Sequence, residues 1–175
     1  MTPLGARRSP RFRSREGLNT EIFLSRDRYL MQIKGSFIVP SDKDKTWEFV
    51  STPERIVTCL PGLQESHIEG NTIKARIKAG VGFIRGTFAV TCVIAENDKV
   101  NYHAKLLISG SGAASAFNAD VLIDLKDAAA GGSQIDYSSE AKVSGPLGSL
   151  AAPMVEGAAK KMVDQIFTCV QTKLS

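Results

Sequence analysis

The chain has few of the side chains that usually carry chemistry. Its 175 residues include two histidines, three cysteines and one tryptophan. An odd number of cysteines at unrelated spacings predicts reduced thiols and a cytoplasmic protein, not a disulfide framework. No apolar run approaches the roughly 20 residues of a membrane span, and the apolar core of a secretory signal is missing.

The sequence also lacks the common motifs of catalysis and cofactor binding. No phosphate-binding loop is present, and the glycine pairs at 80/82 and 110/112 lack the following helix that a dinucleotide site requires. No histidine and cysteine stand at metal-ligand spacing, and His67 and His103 have no orienting partner in the pattern. We therefore predict no catalytic residue, no metal and no cofactor.

Charge is concentrated at the start of the chain. Residues 1–30 contain seven arginines and three acidic residues, a net charge of +4, whereas residues 31–175 are balanced. The segment 1–30 is either a basic arm that touches acidic lipid, nucleic acid or a partner, or a disordered tail, or the product of a start codon upstream of Met31. The body 31–175 is then one domain, and its neutrality argues against a nucleic-acid partner.

From Met31 onward the pattern becomes that of strands. Apolar and polar residues alternate with a period of two, and turn residues separate the segments. After the first strand, two short helices are predicted at Ser41 and at Thr52-Pro53, and Pro61-Gly62 ends the second. The predicted strands are residues 31–39, 63–69, 72–80, 86–95, 100–109, 117–125 and 134–145.

The last stretch, residues 148–174, predicts a long amphipathic helix. Its apolar residues recur every three or four positions, with Ser149 as a candidate cap and Pro153 in the first turn. Short turns make the strands antiparallel, and a sheet with one apolar face must cover it. The sequence therefore predicts an α+β fold in which a curved seven-stranded sheet grips a long helix.

That layout resembles the helix-grip fold of the START-like superfamily. In detail, residues 31–174 resemble the family of the G subunit of carbon monoxide dehydrogenase. The resemblance is carried by I-x-G-x-F-x-V at 33–39, Trp47, Leu60-Pro61-Gly62, V-G-x-x-x-G-x-F at 81–88, the glycines 110 and 112, and V-x-G-x-L-G at 143–148, followed by Ala158, Asp164 and Phe167. The arginine-rich start is not part of that family pattern.

The resemblance implies an apolar cavity between sheet and helix and an accessory role beside a molybdenum hydroxylase. In that role the protein handles a lipophilic molecule such as a quinone, or brings the enzyme to the membrane. The implied location is the cytoplasm, with peripheral association at the inner face of the membrane. The motif residues are turns and core, so they indicate a fold and no reaction.

Strand alternation and helix periodicity then nominate the residues that line a cavity. The helix end with Ala151, Ala152, Gly157 and Ala158 is predicted to be open, with the short helices and the turn 81–86 as its rim and access near Trp47, Phe83 and Ile84. Tyr102, Tyr137 and Ser139 are either hydrogen-bond donors to a ligand or core residues. The predicted lining is Phe37, Trp47, Phe83, Phe88, Val90, Tyr102, Leu106, Phe117, Val121, Tyr137, Ser139, Met154, Ala158, Met162 and Ile166.

Two other functions stay open from the sequence. The first is an enzyme of the polyketide cyclase or hydrolase kind, which the same superfamily contains; the predicted inward faces carry no Asp, Glu, Lys or His, which argues against it. The second is a membrane-surface adaptor acting through residues 1–30. Deleting those residues separates the alternatives, because a carrier keeps its ligand and an adaptor loses its target.

Overall fold

The computed structural model describes residues 28–175. The predicted basic segment 1–30 therefore lies almost entirely outside the described residues. The first strand, β1, begins at Arg28, three positions before the boundary drawn at Met31.

Seven strands form one antiparallel sheet, as the alternation predicts. Its spatial order is β1-β7-β6-β5-β4-β3-β2, so each strand from β2 onward pairs with the next along the chain and β7 returns to β1. The inward rows follow the predicted parity, with Ile33 and Val39 buried on β1 and Ala75 and Ile77 buried on β3. The strands are β1 Arg28–Val39, β2 Leu63–Glu69, β3 Thr72–Val81, β4 Ile84–Asp98, β5 His103–Gly112, β6 Ser115–Asp127 and β7 Ser133–Ser144.

Three α-helices accompany the sheet, α1 Lys43–Ser51, α2 Pro53–Ile56 and α3 Ala152–Lys173. The side chain of Asp42, and not that of the predicted Ser41, caps α1 by accepting a hydrogen bond from the backbone of Lys45 at 2.9 Å. Helix α2 starts with proline at its first position, as predicted. Ser149 does not cap α3, because its hydroxyl bonds to the carbonyl of Pro146.

Helix α3 crosses the concave face of the sheet. Its backbone runs near β1 and, more briefly, near β3, and it stays farther from the strands between them. Two apolar clusters fill the ends of the space beneath it. The first cluster surrounds Trp47, Ile135, Phe167 and Val170 at the C-terminal end of α3. The second cluster surrounds residues near its N-terminal end, among them Ile33, Ile84, Phe88, Val143 and Val155.

The cysteines differ from the sequence prediction. Cys59, in the short 3₁₀ turn Val57–Cys59, is disulfide-bonded to Cys169 on α3, 110 residues away. Only Cys92 is a free thiol among residues 28–175, and burial raises its pKa to about 11. The prediction of three reduced thiols was wrong, because an odd number of cysteines leaves one unpaired but does not prevent the other two from forming a disulfide. The cysteine count therefore no longer argues for a reducing compartment.

Two glycines give a matched test of this packing. The ring of Phe117 lies over Gly110 on the paired strand, and a Cβ at Gly110 would be 2.3 Å from its Cζ. Gly157 lies inside α3 with nothing within 4 Å of such a Cβ. We expect Gly110→Ala to lower the free energy of unfolding by about 1–3 kcal/mol through overpacking. Gly157→Ala should raise it by roughly 0.5–1 kcal/mol.

Urea titrations of both variants check this expectation, since each differs from the wild type by one methyl group. Equal midpoints for the two variants would contradict the packing described.

Candidate ligand-binding site

Between the two clusters lie residues that belong to neither. Several residues on the inward rows in the middle of the sheet, and others midway along α3, are only half-buried. We call this region the central gap. Five of the predicted lining residues border it: Leu106, Val121, Ser139, Ala158 and Met162.

The strand pairing places three of these residues in one row. Ser139 on β7 lies opposite Val121 on β6, which lies opposite Leu106 on β5. On α3, Ala158 and Met162 are four residues apart and share a face of the helix. The sheet row and the helix pair are thus mainly apolar, and Ser139 contributes the hydroxyl of that row.

Other predicted lining residues belong to the packed clusters instead. Phe37, Tyr102 and Ile166 pack against the first cluster, which contains Trp47. Val90 and Phe117 pack against the second cluster, which contains Phe88. Tyr137 contacts both clusters and so lies at their boundary.

The structure does not support the predicted open end of the helix. Leu147, Leu150 and Val155 pack the N-terminal end of α3 in the second cluster. Gly157 is exposed and faces away from the sheet, so its lack of a side chain gives no room inside. Periodicity alone could not detect this, because a glycine at the border of the apolar stripe fits either orientation.

The predicted mouth at Trp47, Phe83 and Ile84 also does not form one site. Trp47 is 3% exposed in the first cluster, and Ile84 is buried in the second. The short helices lie at the C-terminal end of α3. The 3₁₀ turn that follows them is attached to α3 by the disulfide to Cys169 and by a 2.5 Å hydrogen bond from the Lys173 ammonium to Thr58. The turn 81–86 lies at the opposite end.

At that opposite end, two large apolar side chains face outward. Phe83 is 83% exposed and Met154 is 45% exposed. Met154 lies against the turn before Phe83, since a Cβ at Gly82 would be 2.6 Å from its sulfur. These two predicted lining residues therefore belong to an exposed apolar tip and not to the interior.

Tyr102 is held by the first short helix. Its hydroxyl donates to the Asp44 carboxylate at 2.7 Å, its ring meets that of Trp47 edge-on at 5.8 Å, and the Lys43 ammonium lies 4.7 Å from its centroid. It lies in the turn before β5 with a positive φ of 51°. The hydrogen bond to Asp44 raises the pKa of Tyr102. Its hydroxyl is thus engaged in packing α1 onto the sheet.

Tyr137 has a different environment. Its ring stacks with Phe37 and with Phe167, each at a centroid distance of 5.9 Å, and those two rings stack on each other at 4.3 Å. It lies over Gly35 on the paired strand, where a Cβ would be 2.8 Å from the tyrosine oxygen. The hydroxyl has no hydrogen-bond partner among residues 28–175. The alternation on β1 predicted that Gly35 faces inward. It could not show that the ring of Tyr137 on the neighbouring strand occupies the space where a side chain at position 35 would be.

Ionisable groups lie on the outer face of the sheet. His103 contacts Asp124 at 2.7 Å through Nδ1 and Glu96 at 3.6 Å through Nε2, so its ring faces outward, as the alternation on β5 predicts. These two carboxylates are orienting partners that the sequence pattern did not show. Hydrogen bonds from Ser36, Gln134 and Lys126 lower the pKa of Asp136 to about 2. A depression of about 310 Å³ on this face includes Asp124 and Asp136, but their partners already satisfy both carboxylates.

Within the described part of the chain, no three His, Cys, Asp or Glu side chains meet in a way that could hold a metal ion. No helix between residues 28 and 175 combines the length and hydrophobicity needed to cross a membrane.

The sequence profile of CoxG, the G subunit of carbon monoxide dehydrogenase, matches residues 35–175. The chain belongs to the CoxG family. The resemblance seen in the sequence is thereby confirmed, and the match begins at Gly35, on which the Tyr137 ring rests. No curated protein sequence matches the chain significantly.

Solved structures share the fold of this CoxG family member. A conserved protein from Geobacillus kaustophilus has a TM-score of 0.76 at 24% identity, over 82% of this chain and 95% of its own. A START superfamily protein from Mycobacterium smegmatis has a TM-score of 0.64 at 10% identity, over 82% and 96%. Truncated norcoclaurine synthase from Thalictrum flavum has a TM-score of 0.53 at 16% identity, over 82% and 95%. At these identities the likeness establishes the START-like helix-grip fold.

Proposed function

We propose that this CoxG family member is a non-catalytic accessory protein that holds a hydrophobic small molecule, quinone-like or lipid, in the central gap. One observation carries the proposal. Leu106 and Val121 on the inward row of the sheet and Met162 on the helix stay only half-buried and outside both packed clusters. Apolar side chains that stay incompletely buried on an inward face suit a ligand that is itself largely apolar.

The chemistry of the interior supports binding without catalysis. General acid or base catalysis needs a titratable group within hydrogen-bond reach of the substrate. Between their exposed ends, the inward rows of β1 and β3–β7 contain no Asp, Glu, Lys or His, and their polar groups are serine and tyrosine hydroxyls and the Cys92 thiol. Asp127, at the end of the inward row of β6, is exposed and pairs with Lys43 on α1. A synthase shares the fold, but an enzyme of that kind would need a catalytic group that these rows do not offer.

The family supplies the proposed partner. Its description favours carbon monoxide dehydrogenase as the kind of enzyme that this protein accompanies. We propose a molybdenum hydroxylase of that type, as the resemblance in the sequence implies. The exposed tip of Phe83 and Met154 supports contact with a membrane surface, because moving an apolar side chain out of water lowers the free energy. With the cysteine argument removed by the disulfide, the family resemblance supports the remaining part of the proposal, that the protein works in the cytoplasm at the inner face of the membrane.

Native mass spectrometry of protein purified without detergent tests the ligand proposal. We expect a co-purifying apolar molecule that is released by organic solvent but survives gel filtration. A ligand-free protein that also fails to take up an uncharged apolar fluorophore would contradict the proposal.

A further inference from the structure

The boundary between α3 and the edge strand β1 closes the central gap on one side. We call this boundary the β1 seam. Its upper part is packed by Val39, Phe167 and Val170 of the first cluster. Its lower part is packed by Met31 and Val155, together with Ile33, of the second cluster. Gly35 lies between these parts in the same inward row of β1, and it has no side chain to contribute.

Tyr137 fills the place that Gly35 leaves empty. The tyrosine comes from the neighbouring strand β7 and lies directly opposite Gly35 in the pairing register. Its oxygen and Cε1 would be 2.8 and 2.9 Å from a Cβ at Gly35, so the ring covers that residue closely. Because Tyr137 contacts both clusters, its ring bridges the two packed parts of the seam.

The contacts that hold this ring differ from those of Tyr102. Tyr102 is tied by a hydrogen bond to Asp44, whereas the hydroxyl of Tyr137 bonds to no described residue. Stacking on Phe37 and Phe167 holds the Tyr137 ring. Rotation of the side chain would therefore break no hydrogen bond, and it would uncover Gly35.

The seam at this point leads to the central gap. Ser139 follows Tyr137 by two residues, so both point to the same face of β7. Desolvation, and to a smaller extent the charge of Asp164, raises the pKa of Tyr137. Because Asp164 is on α3, this agrees with a Tyr137 hydroxyl that lies near the helix. A ligand passing between β1 and α3 at Gly35 would thus meet the row of Ser139 and Val121 next.

We propose that Tyr137 is the gate through which a hydrophobic ligand enters the central gap, and that Gly35 is the notch that the closed gate covers. This inference rests on the proposed function, since a gate requires a ligand site behind it. A gate changes how fast a ligand enters and leaves without much changing the equilibrium.

Stopped-flow fluorescence with the uncharged probe N-phenyl-1-naphthylamine tests the gate. We expect Tyr137→Leu, which keeps apolar volume but cannot cover Gly35, to raise both the association and dissociation rate constants at least tenfold. The Kd should change less than threefold. Tyr137→Phe should stay within twofold of the wild type in both rates, because the hydroxyl has no partner. In Gly35→Ala the added methyl group would clash with the Tyr137 ring and displace it. This variant should therefore also raise both the association and the dissociation rate constants.

Phe117→Leu is the matched control, because Phe117 also covers a glycine, Gly110, but within the sheet and away from the seam. We expect it to leave the association rate within twofold of the wild type. If Tyr137→Leu alters only dissociation or neither rate, the gate is wrong while the ligand site stands. If the wild type takes up no probe, both proposals are wrong.

Discussion

Replacing Cys59 and Cys169 together by alanine is expected to lower the melting temperature by about 10 °C or more. The bond between them closes a chain segment 110 residues long. On the chain-entropy account, a cross-link across that separation stabilises the native state by about 4–5 kcal/mol. In a domain of this size, each 1 kcal/mol corresponds to roughly 2–4 °C. Calorimetry under non-reducing conditions measures the effect, and treating the wild type with a reductant should reproduce it.

Cys92→Ala is the control for this experiment, because Cys92 is a free, half-buried thiol on the inward row of β4. Its loss removes a small side chain and should cost about 1 kcal/mol. A double variant that melts within 2 °C of the wild type would mean that noncovalent packing alone holds the short helices against α3.

Filling the central gap is expected to remove ligand binding with little effect on the fold. Ala158 is half-buried on the face of α3 that it shares with Met162, and it belongs to neither packed cluster. We expect Ala158→Phe to weaken binding of N-phenyl-1-naphthylamine at least tenfold, or ~1.4 kcal/mol. The loss of stability should stay below the 1–3 kcal/mol typical of overpacking a dense core. Fluorescence titration and urea unfolding measure the two effects.

Thr168→Phe places the same ring on the exposed side of the same helix, and it should leave probe binding unchanged. A strongly destabilised Ala158→Phe protein, together with a wild type that binds no probe, would show that the interior is solid. The proposal that the protein holds a hydrophobic ligand would then be wrong.

The succession of the strands along the chain and the face that each residue takes could be predicted, because both depend on local pattern. Alternation with a period of two assigns each residue of a strand to one face, and a register shift of one would expose the whole inward row. Ile33, Val39, Ala75 and Ile77 are therefore buried as predicted. His103 is on the outer face by the same logic, beside Asp124.

The candidate site was harder to predict, since it depends on which parts of the interior stay unfilled. Most of the predicted lining residues proved to be packed, at the boundary of the clusters or exposed, and the assumed open end of α3 is closed by Leu147 and Val155. Volume between elements depends on sheet curvature and on where the helix axis crosses it. Neither quantity is encoded in the period of a single element.

The sequence by itself determined six inward rows and the amphipathic helix that covers them, because these follow from periods and turn residues along the chain. It also indicated the family, through the resemblance of its motifs. Tertiary structure decided the pairing of Cys59 with Cys169, the confinement of Tyr102 by Asp44 and the seating of Tyr137 on Gly35. Each of these contacts joins residues at least 58 positions apart. Such contacts form only when elements distant along the chain are brought together in the fold, so no local pattern could predict them.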